Sequence, residues 1–228
     1  MWSESMVKKQ YQQYCPMSYT LDVIGDRWTL HIIRDLGFGA RRFTDLHNGL
    51  PGLATNLLSK RLKEMEESRL ITKKSLPPPA SSTVYELTEQ GRSLQKVNAV
   101  LSDWGMQFIQ VPVPEEDFLG LIPAMSSLYK FHDFDTANGI TSVCEFHANG
   151  EIFTVQMNNG KLAVSLGMID NPDVTIEILN LKTLVALVNH FISIEDALAE
   201  GDIQYIAGDI VAFQAFIDSY PRRKKDNG

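Results

Sequence analysis

The sequence has few cysteines and no long apolar run. Its 228 residues include two cysteines, Cys15 and Cys144, which lie far apart and do not form the spaced set of a disulfide-stapled secreted protein. No stretch approaches the roughly eighteen apolar residues that predict a membrane helix. Residues 1–17 also lack the apolar segment and cleavage site of a signal peptide. We therefore expect no membrane association and a reducing, cytoplasmic location.

The sequence also lacks the short motifs that mark common enzymes. A phosphate-binding loop, a dinucleotide fingerprint, a nucleophile elbow and a metalloprotease helix are all absent. Five residues carry metal-ligating side chains without matching a known ligand spacing: His132, Asp133, Asp135, Cys144 and His147. We expect neither enzymatic activity nor a bound metal or other cofactor.

Positive charge is scarce and unevenly distributed. The chain carries 21 Lys and Arg against 28 Asp and Glu, a net charge of −7. Residues 1–110 contain 14 basic and 11 acidic side chains, a net +3, whereas residues 111–228 contain 7 and 17, a net −10. This asymmetry predicts two domains with different partners. The acidic half would be repelled by a phosphate backbone.

Residues 41–87 follow the order of a DNA-reading motif. A short helical pattern over 42–47 precedes the break at Pro51-Gly52, and a longer amphipathic helix pattern follows. Two strand-like runs, 70–75 and 83–87, then enclose a loop that contains Pro77-Pro78-Pro79. This order predicts a helix-turn-helix with a β-hairpin wing.

Helices are also predicted on both sides of this motif. Upstream, apolar residues at helical spacing predict one helix over 18–36, ending at Gly37. Downstream, Thr88 is expected to cap a further helix. That helix has apolar residues spaced for packing against a partner: Leu94, Val97, Leu101, Trp104 and Phe108.

The polar side chains of the motif are of the types that contact duplex DNA. On the longer helix they fall on the side opposite Leu58, Leu62 and Met65, and lysines at the base of the wing are suited to phosphates. Taken alone, the same pattern also fits a core helix with a solvated polar face. We predict that double-stranded DNA is contacted by Arg41, Arg42, Thr55, Asn56, Ser59, Lys60, Lys63, Lys73 and Lys74.

From about Tyr14 to Phe108 the chain resembles the HxlR-type winged-helix regulators, relatives of the MarR regulators. The matching pieces are Cys15-Pro16, the runs at 21–30, 41–43, 57–62 and 85–94, and Asp103-Trp104-Gly105. The resemblance implies a homodimer built from the terminal helices, with one recognition helix per half-site.

Two departures from this family are visible. Relatives often open the recognition helix with Ser-Pro, whereas Ala54-Thr55 stand here, so that Thr55 is the remaining candidate for the cap. The wing of relatives usually carries an arginine suited to a narrow minor groove, whereas the tip here is Ala80-Ser81-Ser82. Several relatives also carry a redox-sensing thiol where Cys15 lies, although a packed, inert cysteine is an equal alternative.

The second half begins after a linker, predicted at 111–125, that opens with two prolines and an acidic run. Strand-like runs over 140–146, 151–157 and 162–168 are separated by Asn149-Gly150 and Asn159-Gly160, which are strong hairpin signals. A further strand is predicted over 174–179, followed by helices over 181–192, 194–200 and 210–219.

Residues 126–220 also resemble the sterol-carrier-protein-type lipid-binding fold, on shorter motifs. These are Asn171-Pro172-Asp173, Glu200-Gly201-Asp202 and Gly208-Asp209 before a closing helix. The resemblance implies a sheet with helices around an apolar cavity. The candidate lining residues are Phe146, Phe153, Met157, Leu187, Phe191, Phe213 and Phe216, which base rates alone would assign to the core.

Together these features predict an α+β chain of two domains. A winged helix-turn-helix and dimerisation domain occupies 1–110, a sterol-carrier-like domain occupies 126–220, and a disordered tail follows at 221–228. We expect a dimeric transcription regulator that binds a palindromic operator, with an apolar small-molecule effector in the second domain. Two alternatives stay open: a small-molecule carrier whose winged helix serves only dimerisation, and a thiol-based regulator acting through Cys15.

Overall fold

The computed structural model describes residues 11–77 and 82–222. Its contacts divide the chain into two compact units, Met1–Gly105 and Met106–Gly228. Most of the predicted wing loop, at 78–81, and most of the predicted disordered tail, at 223–228, lie outside the described residues. In the part that the structure describes, no helix is both long enough and apolar enough to cross a membrane.

The first unit combines a small helical core with a three-stranded antiparallel sheet in the order β1-β3-β2. Its elements are α1 (Pro16–Ile24), α2 (Thr29–Leu36), β1 (Arg41–Arg42), α3 (Phe43–Gly49), α4 (Thr55–Glu67), β2 (Ile71–Ser75), β3 (Thr83–Leu87) and α5 (Glu89–Gly105). This is the winged helix-turn-helix arrangement that the sequence predicts.

The prediction of a single helix over 18–36 is wrong. The chain instead forms α1 and α2 with a break between them, because Trp28 has a φ of 81° in the left-handed region. A right-handed helix cannot continue through such a residue. Apolar spacing did not reveal this break, since Ile24, Ile32 and Leu36 on either side all point into one core.

The hairpin of β2 and β3 is in regular antiparallel register from Ile71↔Leu87 to Ser75↔Thr83. The predicted cap at the start of α5 is confirmed, since the Thr88 hydroxyl accepts a hydrogen bond from Gly91 N at 3.1 Å. Gly91 also lets α5 approach the connection between α4 and β2 closely, because a Cβ at Gly91 would lie 2.0 Å from the Leu70 carbonyl oxygen.

The second unit has a five-stranded sheet in the order β6-β5-β4-β7-β8. After the short 3₁₀ helix Met106–Phe108, its elements are α6 (Leu121–Phe131), α7 (Phe134–Ala137), β4 (Ser142–Ala148), β5 (Glu151–Asn158), β6 (Lys161–Leu166), β7 (Val174–Ile178), α8 (Leu181–Val188), α9 (Ile194–Ala199), β8 (Ile203–Gly208) and α10 (Ile210–Asp218). The pair β4–β7 is parallel and the other pairs are antiparallel.

Both predicted hairpins of the second unit are confirmed. Asn149 and Gly150 have φ of 54° and 76°, and Asn159 and Gly160 have φ of 48° and 79°. Positive φ at both central residues is what a two-residue hairpin turn of type I′ requires. Helices α6 and α7 and the edge strand β8 were not predicted, and α6 begins inside the linker predicted at 111–125. The sterol-carrier resemblance of this unit stays a prediction.

Candidate nucleic-acid interface

Helix α4 has one buried and one exposed face. Leu58, Leu62 and Met65 are at most 2% exposed and pack into the core of the first unit. The five predicted contact residues of this helix are all exposed on the other side: Thr55, Asn56, Ser59, Lys60 and Lys63. The chain therefore presents a continuous polar helix face of the kind that enters a major groove.

The polar groups of this face are satisfied by local hydrogen bonds. Ser59 Oγ donates to the Thr55 carbonyl oxygen at 2.9 Å, and Asn56 Oδ1 accepts from Leu57 N at 2.8 Å. Thr55 Oγ1 lies 3.2 Å from His47 Nε2 on α3. The prediction that Thr55 caps α4 is wrong, because the cap position is Ala54, which makes no side-chain capping hydrogen bond.

Each of the four predicted contact lysines lies beside a glutamate. The Nζ to Oε distances are 4.0 Å for Lys60–Glu64, 3.9 Å for Lys63–Glu67, 3.2 Å for Lys73–Glu66 and 4.0 Å for Lys74–Glu86. All four lysines are well exposed, and exposed ion pairs contribute about 0–1 kcal/mol. These ion pairs therefore hold the four lysines only weakly.

The two arginines at the start of α3 differ. Arg42 is exposed, and its backbone N–H donates to Asp45 Oδ2 at 2.9 Å. Arg41 is 5% exposed and is paired with Tyr85 in the β1–β3 ladder. Of the nine predicted contact residues, Arg41 alone would need to leave a buried position to reach DNA.

Sequence reasoning missed an ion pair next to this face, between a buried arginine and a largely exposed aspartate. Arg61 of α4 is 8% exposed, and its Nη1 donates to Asp26 Oδ2 and, at 2.8 Å, to Glu64 Oε2. Asp26 lies in the break between α1 and α2. The prediction of a single unbroken helix did not include this contact, because it placed Asp26 within that helix and not in a loop that approaches α4.

An apolar stripe on α5 faces solvent. Of the helix's seventeen residues, only Gly91 is buried. Large apolar side chains recur at helical spacing, with exposed fractions of 40% for Val97, 67% for Val100, 46% for Leu101 and 66% for Trp104. On α1, Met17 is 64% exposed. Contiguous exposed apolar side chains of this kind mark an interaction surface.

The two cysteines differ in reactivity. Cys15 is partly exposed at the start of α1, and its pKa is lowered because the backbone N–H groups of Ser18 and Met17 stabilise the thiolate. Cys144 is fully buried, and burial raises its pKa to about 12. Cys144 therefore cannot resolve an oxidised Cys15 in the folded chain, which does not favour thiol sensing.

Alkylation of the native protein should separate these thiols. With iodoacetamide at pH 8, Cys15 is expected to react fully before Cys144 does, because a pKa near 12 leaves roughly one thiolate in ten thousand. Peptide mass spectrometry would measure both rates. In denaturant the two rates should become similar, and comparable rates in the folded chain would contradict the burial of Cys144.

Most of the predicted ligand-pocket residues pack against one another. Phe146, Phe153, Phe213 and Phe216 are fully buried, and Phe146 lies 5.0, 5.9 and 5.7 Å from the other three rings, centroid to centroid. Met157 and Leu187 are also buried, whereas Phe191 is partly exposed. These rings fill the centre of the unit, so a ligand there would have to separate them.

Three polar atoms of the same unit are buried without a hydrogen-bond partner in the described part of the chain. They are His132 Nδ1, Asn189 Oδ1 and the Tyr220 hydroxyl, whose ring lies 6.0 Å from that of His132. Within the described residues, no group of three or more His, Cys, Asp or Glu side chains is arranged to hold a metal ion.

Comparisons with known proteins match the first part of the chain. Residues 23–112 match the HxlR-like helix-turn-helix family. The chain is 33% identical over 97 residues to the HTH-type transcriptional regulator YodB of Bacillus subtilis strain 168, covering 42% of this chain and 87% of that protein. It is 31% identical over 101 residues to the regulatory protein MalR of Fusobacterium mortiferum, covering 44% and 93%.

The solved structure of reduced YodB from B. subtilis is similar at 31% identity, with a TM-score of 0.38. The match covers 43% of this chain and 97% of the YodB chain.

Proposed function

The chain belongs to the HxlR-like helix-turn-helix family, and we propose that it regulates transcription by binding a palindromic operator in duplex DNA as a homodimer. The observation that supports this most directly is the exposed polar face of α4 opposite its buried stripe of Leu58, Leu62 and Met65. A helix of this kind, followed by a wing, is the usual reader of the major groove.

In the proposed complex, the N-terminal half of α4 reads base edges. Asn56 and Ser59 have the donor and acceptor groups for this task, and their present bonds are to the local backbone, which a rotamer change releases. The C-terminal half of α4 carries Glu64, Glu66 and Glu67, which phosphates would repel. DNA therefore approaches α4 from its start, while Lys73 and Lys74 hold the backbone at the base of the wing.

The homodimer would bury the apolar stripe of α5 together with exposed apolar residues of α1. A second copy suits this surface because the stripe carries no charge and therefore complements itself, as a two-fold interface requires. The twofold axis then places two α4 helices against half-sites about one helical turn apart, roughly 34–36 Å.

The operator can be found by selection from a random duplex pool with the full chain. We expect enrichment of an inverted repeat with half-site centres about 10–10.5 base pairs apart. Binding should weaken steeply between about 50 and 200 mM salt, because phosphate contacts release counterions. Enrichment of a single asymmetric site bound by one protomer, or of no sequence at all, would contradict the proposal.

The wing lysines offer a second test. In the double variant Lys73→Gln/Lys74→Gln, affinity should fall for operator and random duplex alike, because phosphate contacts carry no sequence information. The slope of log affinity against log salt should lose about 1 for each contact removed. Fluorescence anisotropy measures both quantities. The control Lys161→Gln removes an exposed charge from the second unit, and equal effects of the two variants would refute the assignment.

For the second unit we propose binding of an apolar small molecule with one polar end. The unpartnered buried atoms of His132, Asn189 and Tyr220 support this, because each such atom costs about 1–3 kcal/mol unless a partner satisfies it. Such a ligand would change operator affinity if it bound more tightly to one spacing of the two α4 helices than to another. The size of the change is limited by that difference in ligand affinity.

Native mass spectrometry of gently purified protein would test this part. A dimer that retains a discrete organic adduct is the expected result, and the adduct can then be titrated against operator binding. An empty dimer with full operator affinity would overturn the effector proposal and leave the operator proposal intact. An adduct-bearing protein without salt-dependent duplex binding would instead favour the alternative of a small-molecule carrier.

A further inference from the structure

Arg61 is placed unlike the other basic residues of α4. Lys60 and Lys63 are exposed, whereas Arg61 is 8% exposed and lies between them in the helix. Its guanidinium pairs with two carboxylates, that of Asp26, which is 66% exposed, and that of Glu64, which is 22% exposed. Arg61 is therefore held by protein carboxylates, although it belongs to the helix that would read DNA.

The two carboxylates hold Arg61 in different ways. Glu64 lies on the same helix, one turn further on, so its bond at 2.8 Å does not restrain α4 relative to any other element. Asp26 lies 35 residues earlier, in the break between α1 and α2. The Asp26–Arg61 bond is thus a cross-link between that break and α4.

The break that holds Asp26 has a defined conformation. Trp28 has a φ of 81°, which a bulky residue adopts only where its surroundings enforce it. The Arg27 guanidinium carbon lies 5.1 Å from the Trp28 ring centroid, and the His31 ring lies 5.4 Å away. These two contacts hold the Trp28 indole in place within the break, and Asp26, whose side chain is 66% exposed, lies two residues before it.

We propose that Asp26 and Arg61 form a positioning pair that sets the orientation of α4 relative to α1. The proposal rests on the proposed function, since it concerns the fit of α4 to an operator. The apolar stripe of α4 keeps the helix on the core but allows small rotations, because ridges of similar side chains can shift over one another. A charge-assisted hydrogen bond with directional geometry removes that freedom.

The pair also connects the dimer surface with the DNA surface. Helix α1 carries exposed apolar residues such as Met17 and ends at Ile24, two residues before Asp26. A shift of α1 at a dimer interface therefore moves Asp26, and Arg61 moves α4 with it. The pair is thus a specificity-determining element that does not touch DNA.

The test compares Asp26→Asn with the wild type on the selected operator and on a random duplex. Glu64 still holds the guanidinium in this variant, so the fold and the melting temperature should change little. Operator affinity should fall about tenfold, while random-duplex affinity and the salt slope stay the same. Asp26→Glu keeps the charge and should restore most of the loss. Asp22→Asn is the control, since Asp22 bonds the backbone of Tyr11 and not α4.

Several results would overturn the positioning role. They are an unchanged ratio of operator to random-duplex affinity in Asp26→Asn, an equal loss on both duplexes, or a loss that Asp26→Glu does not repair. A wild-type protein that enriches no operator would instead refute the proposed function, so the two failures are distinguishable.

Discussion

Replacing Val100 by Asp is expected to convert the proposed homodimer to a monomer. Val100 is 67% exposed in the single chain, at the centre of the apolar stripe of α5. In a two-fold interface each copy would bury one unpaired carboxylate, at a cost of roughly 2 kcal/mol or more per group. The dimer dissociation constant should then rise by about three orders of magnitude. Analytical ultracentrifugation measures it directly.

Operator affinity should also fall in the Val100→Asp variant, because loss of the dimer separates the two α4 helices. Two linked reading helices gain roughly 10²–10⁴ over one, because the second half-site is bound at a high effective concentration. The control is Ser102→Asp, which adds the same charge to α5 on the side opposite Trp104. A Val100→Asp protein that stays dimeric would place the interface elsewhere, and one that binds operator fully as a monomer would refute the palindromic arrangement.

The bounds and the buried face of α4 were predicted well, because two independent patterns agree there. The buried stripe at Leu58, Leu62 and Met65 and the turn before it both specify a helix of known orientation. Once that orientation is set, the exposed side chains follow from the helical period. The same holds for the two hairpins of the second unit, where Asn-Gly fixes the turn and alternation fixes the strand faces.

The features that were missed depend on contacts between distant residues. Apolar spacing continues across Gly25 and Asp26, so the period alone cannot show that Trp28 adopts a positive φ. The burial of Arg41 and Arg61 follows from tertiary packing and from the carboxylates that meet Arg61. Spacing also could not decide whether the phenylalanines of the second unit line a cavity or fill a core.

The glutamates of α4 restrict how the proposed interface works. With Glu64, Glu66 and Glu67 beside the contact lysines, the motif offers less net positive charge than its lysines alone suggest. Affinity for random DNA should therefore be modest, and discrimination should come from base contacts and from the geometry of α4. We therefore expect the orientation of α4 to affect the discrimination between operator and random DNA more than the number of basic residues does.

Replacing Phe146 by Ala should be the most destabilising change in the second unit. Phe146 is fully buried and contacts three other rings within 6 Å, centroid to centroid. Deleting such a side chain removes its burial and leaves a cavity, at a cost of about 3–5 kcal/mol. The transition of this unit should shift down by roughly 10–20 °C, which calorimetry or near-ultraviolet circular dichroism would record.

The same variant decides between the two interpretations of the aromatic cluster. If the rings form a closed core, the full cost appears, and Phe134→Ala, which removes a 49% exposed ring from the same unit, should cost less than about 1 kcal/mol. If Phe146 instead faces a ligand cavity, its removal should cost little more than the control. In that case the retained adduct in native mass spectrometry should change, because the cavity would have grown by a phenyl ring. A large stability loss with an unchanged adduct would place the ligand away from Phe146, nearer the unpartnered groups of His132 and Tyr220.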